Sequence, residues 1–275
     1  MVSKESDQKN EFSVLMCVYH NDDPKLFDKA LNSVFSNTLL PDQFVLVVDG
    51  PIPVVLEEVI QTYSKYQHFL LIRLSENLGL VAALNEGLRH IKTAWVVRAD
   101  ADDFNLDNRF ERLKSNMTED LDLIGSFIAE KDDSGMIYAV KKVPLERDDV
   151  FRFIKKQNPF NHPTVAFRTS KVLALGGYPK IELREDYGLW ATMLASDCGV
   201  KNIDEVLVHA NAGEDMFARR KGSAVIRAEI TLQSHLLKLG LTSFCGALIY
   251  GGLRTILFSV SPKIIQLVYK HVLRR

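Results

Sequence analysis

Cysteine is scarce in this 275-residue chain: Cys17, Cys198 and Cys245 are odd in number, far apart, and without a paired metal-ligand spacing. That excludes a disulfide-stapled scaffold or a structural zinc site and suits a reducing compartment. An apolar run long enough to span a bilayer, ~20 residues, is also lacking. The stretch from Leu239 to Val260 comes closest, and Arg254 interrupts it. The polar start, Met1 to Glu11, holds no apolar core of a secretory signal, so a cytosolic protein is expected. Charge of one sign does not dominate, because the formal net charge is -1, which gives no footprint for nucleic acid. Two glycine motifs are missing as well. A dinucleotide site would place Gly-x-Gly-x-x-Gly after the first strand, where the chain reads His20-Asn21-Asp22-Asp23-Pro24, and no P-loop occurs anywhere. An EF-hand reading of Asp100 onward fails because Asn105 stands where the turn glycine belongs. There is no internal repeat or low-complexity tract.

One absence is local. From Ile230 onward there is no Asp or Glu, but there are Lys238, Arg254, Lys263, Lys270, Arg274 and Arg275. Beyond Pro262 these cations alternate with Ile264, Ile265, Leu267, Val268 and Val272 in a basic amphipathic pattern that suits anionic lipid headgroups. Residues 241–275 are therefore expected to form a helical tail. It would hold the protein peripherally on the cytoplasmic membrane face, or pack on its own domain or a second subunit to give a homo-oligomer.

What is present, 47% hydrophobic and 25% charged residues, is the composition of a globular protein. Phe12 to Tyr19 is a nearly continuous apolar run of the kind buried on both faces of a parallel sheet. Asp23 then reads as a helix N-cap with Pro24 as the first helical residue, and Leu26, Phe27, Ala30, Leu31, Val34 and Phe35 recur at helical spacing. The alternation continues with a strand at Phe44 to Val48, a helix from Val54 to Tyr66, a strand at Phe69 to Leu74, a helix to His90 and a strand at Trp95 to Ala99. This predicts an α/β fold with a mainly parallel central sheet flanked by helices, whose ligands collect at the carboxyl ends of the strands. Tyr19, Asn21, Asp49, Asn77 and Asp100-Ala101-Asp102 all fall at such ends.

The fourth strand matters most, because it runs straight into Asp100, Asp102 and Asp103. If the backbone stays extended, Asp100 and Asp102 share one side, two hard oxygen ligands for magnesium or manganese with positions left open for phosphate. Beyond Asn108 the alternation is lost. Strands are expected at Leu121 to Ala129, Met136 to Val143 and Thr164 to Arg168, with an irregular Asn158 to Pro163 between prolines. Glu185-Asp186 opens a helix carrying Leu189, Trp190, Met193 and Leu194, and Arg219-Arg220-Lys221 precedes a helix running to about Leu239.

In this order the motifs resemble the inverting nucleotide-sugar glycosyltransferases of family two, which have the GT-A fold. The chain looks most like bacterial members that build O-antigen or exopolysaccharide units on a lipid carrier. The likeness runs from Phe12 to about Leu239. It rests on Ser13 to Tyr19, Val47-Val48-Asp49-Gly50-Pro51, Asn77-Leu78-Gly79-Leu80, Ala83 to Leu88, Arg98 to Asp103 with Arg109-Phe110, His162-Pro163-Thr164, Gly176-Gly177-Tyr178 and Glu185 to Trp190. The resemblance implies a domain over residues 12–240, with a nucleotide half at 12–103 and an acceptor half at 104–240. It also implies a UDP-sugar donor, galactose or glucose, and a lipid-linked saccharide acceptor. Tyr19, Asn21, Asp49, Asn77, Asp100 and Ala101 would hold the nucleotide sugar, Asp102 and Asp100 the Mn²⁺ or Mg²⁺, and Asp186 or else Glu185 would be the general base. His162 is either a loop residue bonded to backbone or a contact to the acceptor or a phosphate, Trp190 is most simply core packing or else an acceptor contact, and Arg219 and Arg220 belong to a solvated loop or would bind the diphosphate. His20 departs from the family, which commonly has Asn there. The competing readings are a nucleotidyltransferase of a sugar phosphate, which would want a Gly-rich basic loop after the first strand, and a non-catalytic assembly partner.

Overall fold

The computed structural model describes residues 10–132, 135–211 and 223–259. Everything is laid out around β1 (Phe12–Tyr19), whose side chains are buried on both faces as far as Val18. It pairs in parallel with β2 (Gln43–Asp49) on one side and β4 (Trp95–Arg98) on the other, and β3 (Phe69–Arg73) extends the parallel part beyond β2. The chain thus runs outward from β1 through β2 to β3 and returns across β1 to β4. That reversal opens a crevice at the carboxyl ends of β1 and β4, where open α/β sheets bind ligands.

Past β4 the sheet becomes mixed. The antiparallel β8 (Ala166–Arg168) joins β4 to β6 (Leu123–Lys131), which pairs in parallel with β9 (Val200–Asn211) and antiparallel with β7 (Ile137–Lys141). The two-residue β5 (Phe104–Asn105) closes the far edge against β9. Among the described residues this makes nine strands, half of their pairings parallel, so the mainly parallel sheet expected from sequence is confined to the first four strands and to β6 with β9.

Two apolar layers cover the sheet. On one face Phe12, Val14, Met16 and Val18 of β1 meet α1 (Pro24–Phe35), α2 (Val54–Tyr63) and α4 (Arg109–Lys114). On the other, Leu15 and Cys17 meet α3 (Leu80–Arg89), α5 (Arg147–Phe153), α7 (Glu185–Ala195) and α8 (Ser223–Lys238). Helix α1 begins as expected: Asp23 accepts from the amides of Lys25 (2.8 Å) and Leu26 (3.0 Å) with Pro24 in the first turn. Such a cap stabilises a helix by about 1 kcal/mol. The short α6 (Thr169–Ala174) follows β8, and α9 (Phe244–Ser259) packs against α8. No helix among the described residues is long and apolar enough to cross a membrane.

Sequence patterning misses β9 altogether. Its partners jump from Ser126↔Ile203 to Phe127↔Val206, so Asp204 and Glu205 are accommodated in an irregularity of the ladder and interrupt the alternation that would mark a strand. The strand expected from Thr164 begins only at Ala166, because His162–Thr164 form a single 3₁₀ turn.

Helix α3 sits unusually close to the sheet at Gly87, where an added Cβ would stand 2.4 Å from Leu15 Cδ1 and 2.9 Å from Val47 Cγ2. Gly87→Val should therefore destabilise the protein by about 1–3 kcal/mol through overpacking. A lowered urea midpoint with an unchanged slope is the expected readout, and a wild-type midpoint would mean the helix can move away freely.

Candidate functional site

The carboxyl ends of β1, β2 and β4, the Asn158 to Pro163 segment and the first turn of α7 enclose one cleft of about 890 Å³. Of the residues expected around the donor, Tyr19, Asp49, Asn77, Asp100, Ala101 and Asp102 all line it. Asp49 is committed to its neighbours: its two oxygens accept from the amides of Leu78 (2.8 Å) and Gly79 (2.9 Å), which shapes the loop carrying Asn77. Gly50, at φ +82°, makes the turn that follows, with Asn77 N so close that a Cβ would lie 2.5 Å away. Asn21 is exposed and does not line the cleft, whereas its neighbours His20 and Asp22 do.

The acidic end is not the extended run expected. The strand stops at Arg98 and the chain turns at Ala101-Asp102, and Asp100 and Asp102 reach the same cleft by that turn. Two buried arginines support it. The Arg98 guanidinium pairs with Asp100 and donates to the carbonyls of Ala99 and, at 3.3 Å, Leu15. Arg109 donates to the Arg98 carbonyl at 2.7 Å and to Asn105. Burial opposes the charge on Arg98, but the neighbouring carboxylates, Asp100 foremost, outweigh it and raise its pKa. Burial lowers Arg109 to about 9 despite help from Asp103 and Asp100. Asp103 is held well above the usual carboxylate range, first by burial and then by the charges of Asp102 and Asp100, while the Asn211 amide donates to it at 3.1 Å.

This crowding of like charges decides whether the residues fit a metal. Among the described residues no group of three or more His, Cys, Asp or Glu forms a cage for an ion. The carboxylates at 100 and 102 instead supply a few hard oxygen ligands beside open cleft, which fits a divalent cation that completes its shell with phosphate and water. One oxygen of Asp100 is occupied by Arg98.

Across the cleft, α7 presents Glu185 and Asp186. Asp186 accepts from Asn158 Nδ2 at 2.6 Å and from the Tyr187 amide at 2.7 Å. Glu185 is pushed up to about 7 by burial and by the neighbouring charge of Asp186. His162 stands between the two acidic groups, with Nε2 3.0 Å from the Tyr178 hydroxyl. Its pKa is lowered by burial and by Arg98, so the imidazole is neutral at neutral pH. Trp190 does not reach the cleft. It is fully buried behind His162, ring centroids 6.2 Å apart, so of its two expected places it takes core packing and not the acceptor contact. Arg219 and Arg220 lie outside the described residues.

Sequence reasoning gave no role to Arg98, Asn158, Tyr178, Asn211 or Arg254, each of which touches a cleft residue or lines the cleft itself. Arg98 left one trace, a lone charge inside an apolar strand directly ahead of the carboxylates.

The raised Glu185 has a stability signature. A carboxyl whose folded pKa is about 7 against an ordinary 4.5 binds more protons folded than unfolded between those values. Its contribution is thus full below 4.5 and lost as pH rises through 7. In melts from pH 4.5 to 8, Glu185→Gln should gain progressively on the wild type as pH rises. A pH-independent difference would show that Glu185 is not held in this way.

Comparison with known proteins agrees with the geometry. Residues 13–175 match the model of "Glycosyl transferase family 2". A UDP-Gal:alpha-D-GlcNAc-diphosphoundecaprenol beta-1,3-galactosyltransferase of Escherichia coli is 36% identical, covering 98% of this chain and 99% of its own length. The amylovoran biosynthesis glycosyltransferase AmsE of Erwinia amylovora is 34% identical, covering 94% and 98%. Among solved structures, the mannosyltransferase PcManGT from Pyrobaculum calidifontis, in complex with GDP-Man and Mn²⁺, superposes with a TM-score of 0.63 over 94% of this chain and 78% of its own, at 14% identity, which shows the shared fold alone. The chain has the GT-A fold and is an enzyme, a glycosyltransferase belonging to family 2.

Proposed function

We propose that this glycosyltransferase moves a hexose, galactose before glucose, from its UDP carrier to a hydroxyl of a lipid-linked saccharide during O-antigen or exopolysaccharide assembly, with inversion at the anomeric carbon. The observation that carries this reading is a single cleft lined by both the Asp100/Asp102 turn and the Glu185-Asp186 turn, with His162 between them. A single displacement needs just these two ends, one for the departing diphosphate and one for the proton of the incoming alcohol. The activity of the Escherichia coli relative supports a UDP-galactose donor and a diphosphate-linked lipid acceptor.

In this mechanism Tyr19, Asp49 and Asn77 flank the nucleoside and Ala101 lies against the diphosphate. Asp186 takes the proton of the acceptor hydroxyl as it attacks the face opposite the leaving group. The bonds from Asn158 and the Tyr187 amide fix the direction of the Asp186 carboxylate yet leave lone pairs for that proton, since two carboxylate oxygens offer about four acceptor sites. Glu185 beside it, pushed up to about 7 by burial and the charge of Asp186, carries less negative charge at neutral pH than an ordinary carboxylate. The neutral His162 contacts the acceptor. Asp102 with Asp100 would hold a Mn²⁺ or Mg²⁺, which would supply Lewis-acid stabilisation of the leaving group.

Attachment to the membrane surface belongs to the same proposal. Phe244, Leu248, Ile249 and Leu253 on α9 are between 58% and 68% exposed and form one uncharged face. The sequence that follows is basic and amphipathic, which together suit an anionic bilayer holding the lipid-linked acceptor.

Asp186→Asn should lower turnover by about 10²–10⁴-fold with nucleotide binding nearly intact. Near-normal turnover would remove Asp186 from this role. Calorimetry of Asp102→Ala with UDP and manganese should show no metal-dependent affinity, and unchanged affinity would place the cation elsewhere. In flotation with anionic vesicles the wild type should rise and a Leu248→Gln, Ile249→Gln, Leu253→Gln variant should stay below. A variant that still floats excludes this face as the anchor, and dimerisation without flotation would make it a subunit interface.

A further inference from the structure

We infer that Arg254, on helix α9, is a positioning residue of the active site, holding the turn of α7 that carries Glu185 and Asp186. The inference rests on the transfer reading above. It begins from Glu229 of α8, a carboxylate buried beneath the cleft. Its Oε1 accepts from Arg254 Nη1 at 3.0 Å and from Gln233 Nε2 at 2.8 Å, and its Oε2 lies 3.8 Å from Arg184 Nε. Arg184 is the residue immediately ahead of α7. On the other side of the acidic pair, Arg254 Nη2 donates to the Tyr187 hydroxyl at 2.9 Å, and the guanidinium lies over the Tyr187 ring, 5.2 Å from its centroid. Tyr187 in turn donates that hydroxyl to the Ile154 carbonyl. Residues 184 and 187 therefore bracket Glu185-Asp186, and one buried carboxylate with one guanidinium fastens both.

Arg254 lines the cleft together with Lys156 and Arg184, which invites an alternative role as an anion receptor for the acceptor's diphosphate. Its valences argue otherwise. A guanidinium has five N–H donors. Four of those of Arg254 already serve Glu229, the Tyr187 hydroxyl and, from both Nε and Nη2, the Lys156 carbonyl, which leaves no free pair of donors for a two-pronged grip on a phosphate. The planar fork is used as a bracket joining three elements, for which lysine is no substitute. Helix α9 is accordingly a working part of the catalytic domain as well as a candidate membrane contact. A shift of about 1 Å in a catalytic group can cost ~100-fold in rate, so the bracket has catalytic leverage.

The test uses the full chain and steady-state transfer from UDP-galactose to a synthetic GlcNAc-diphospholipid, with thermal melts alongside. Arg254→Gln should lower kcat by about 10- to 100-fold while the donor KM stays nearly constant. Arg254→Lys keeps the charge facing Glu229 and should keep the melting temperature, yet its kcat should stay well below wild type. Tyr187→Phe should reproduce part of the loss, and combining it with Arg254→Gln should add less than about two-fold, because the two share one link. Wild-type kcat in Arg254→Gln, a loss confined to donor KM, full rescue by lysine, or multiplicative losses in the double variant would each overturn the assignment. If Arg254→Gln does not fold, Tyr187→Phe decides: a folded enzyme with wild-type kcat overturns it. An inactive wild type refutes the transfer reading and this inference together, whereas an active wild type with indifferent variants refutes this inference alone.

Discussion

Two guanidinium groups lie beneath the acidic turn, and the architecture of the cleft depends on them. Asp100, Asp102 and Asp103 follow one another within four residues and would repel one another apart if the chain were free. Arg98 pairs with the first of them while its own carbonyl is held by Arg109. Burying ions is costly, several kcal/mol each even after relaxation, and a mere solvated turn would not maintain such an arrangement. Here the burial keeps one edge of the cleft negative and fixed in direction before any ligand arrives. In the proposed transfer a cation and a diphosphate entering together would find oxygens already oriented, so little reorganisation would remain to be done during the reaction.

The mixed sheet explains how the second carboxylate group comes to face the first. In a purely parallel continuation the chain beyond β4 would cross over through a helix and lead away from the crevice. The antiparallel β8 instead brings the Asn158 to Pro163 segment back alongside β4, with the Arg98 amide donating to the Val165 carbonyl at 2.9 Å. That return delivers Asn158 to Asp186 and His162 to the gap between the acidic clusters. The mobile chemistry of transfer is thereby set on a sheet edge and a helix start, both backed by core.

How far this was legible in the sequence depended on whether function and local pattern coincide. Asp23 and Pro24 announce α1, and the donor-side residues each terminate a recognisable strand, because strand ends and ligand sites are the same places in this fold. Trp190 lies four residues after Asp186 and shares its side of the helix by spacing. The helix nevertheless dives inward after its first turn, so the later residue becomes core. Strand β9 was hidden by Asp204 and Glu205, yet it supplies the Asn211 amide that steadies Asp103. Arg254 read as an interruption in an apolar tail, since its partners Glu229 and Tyr187 lie far upstream and no periodicity links them.

The central claim is that one bound sugar nucleotide spans both ends of the cleft and is displaced in a single step. Proton NMR of the product formed from a UDP-α-hexose measures this directly through the anomeric coupling of the new linkage. The account predicts a β-glycoside, the inverted product. An α-linked product would contradict it, since a single displacement from the face opposite the leaving group inverts the anomeric carbon.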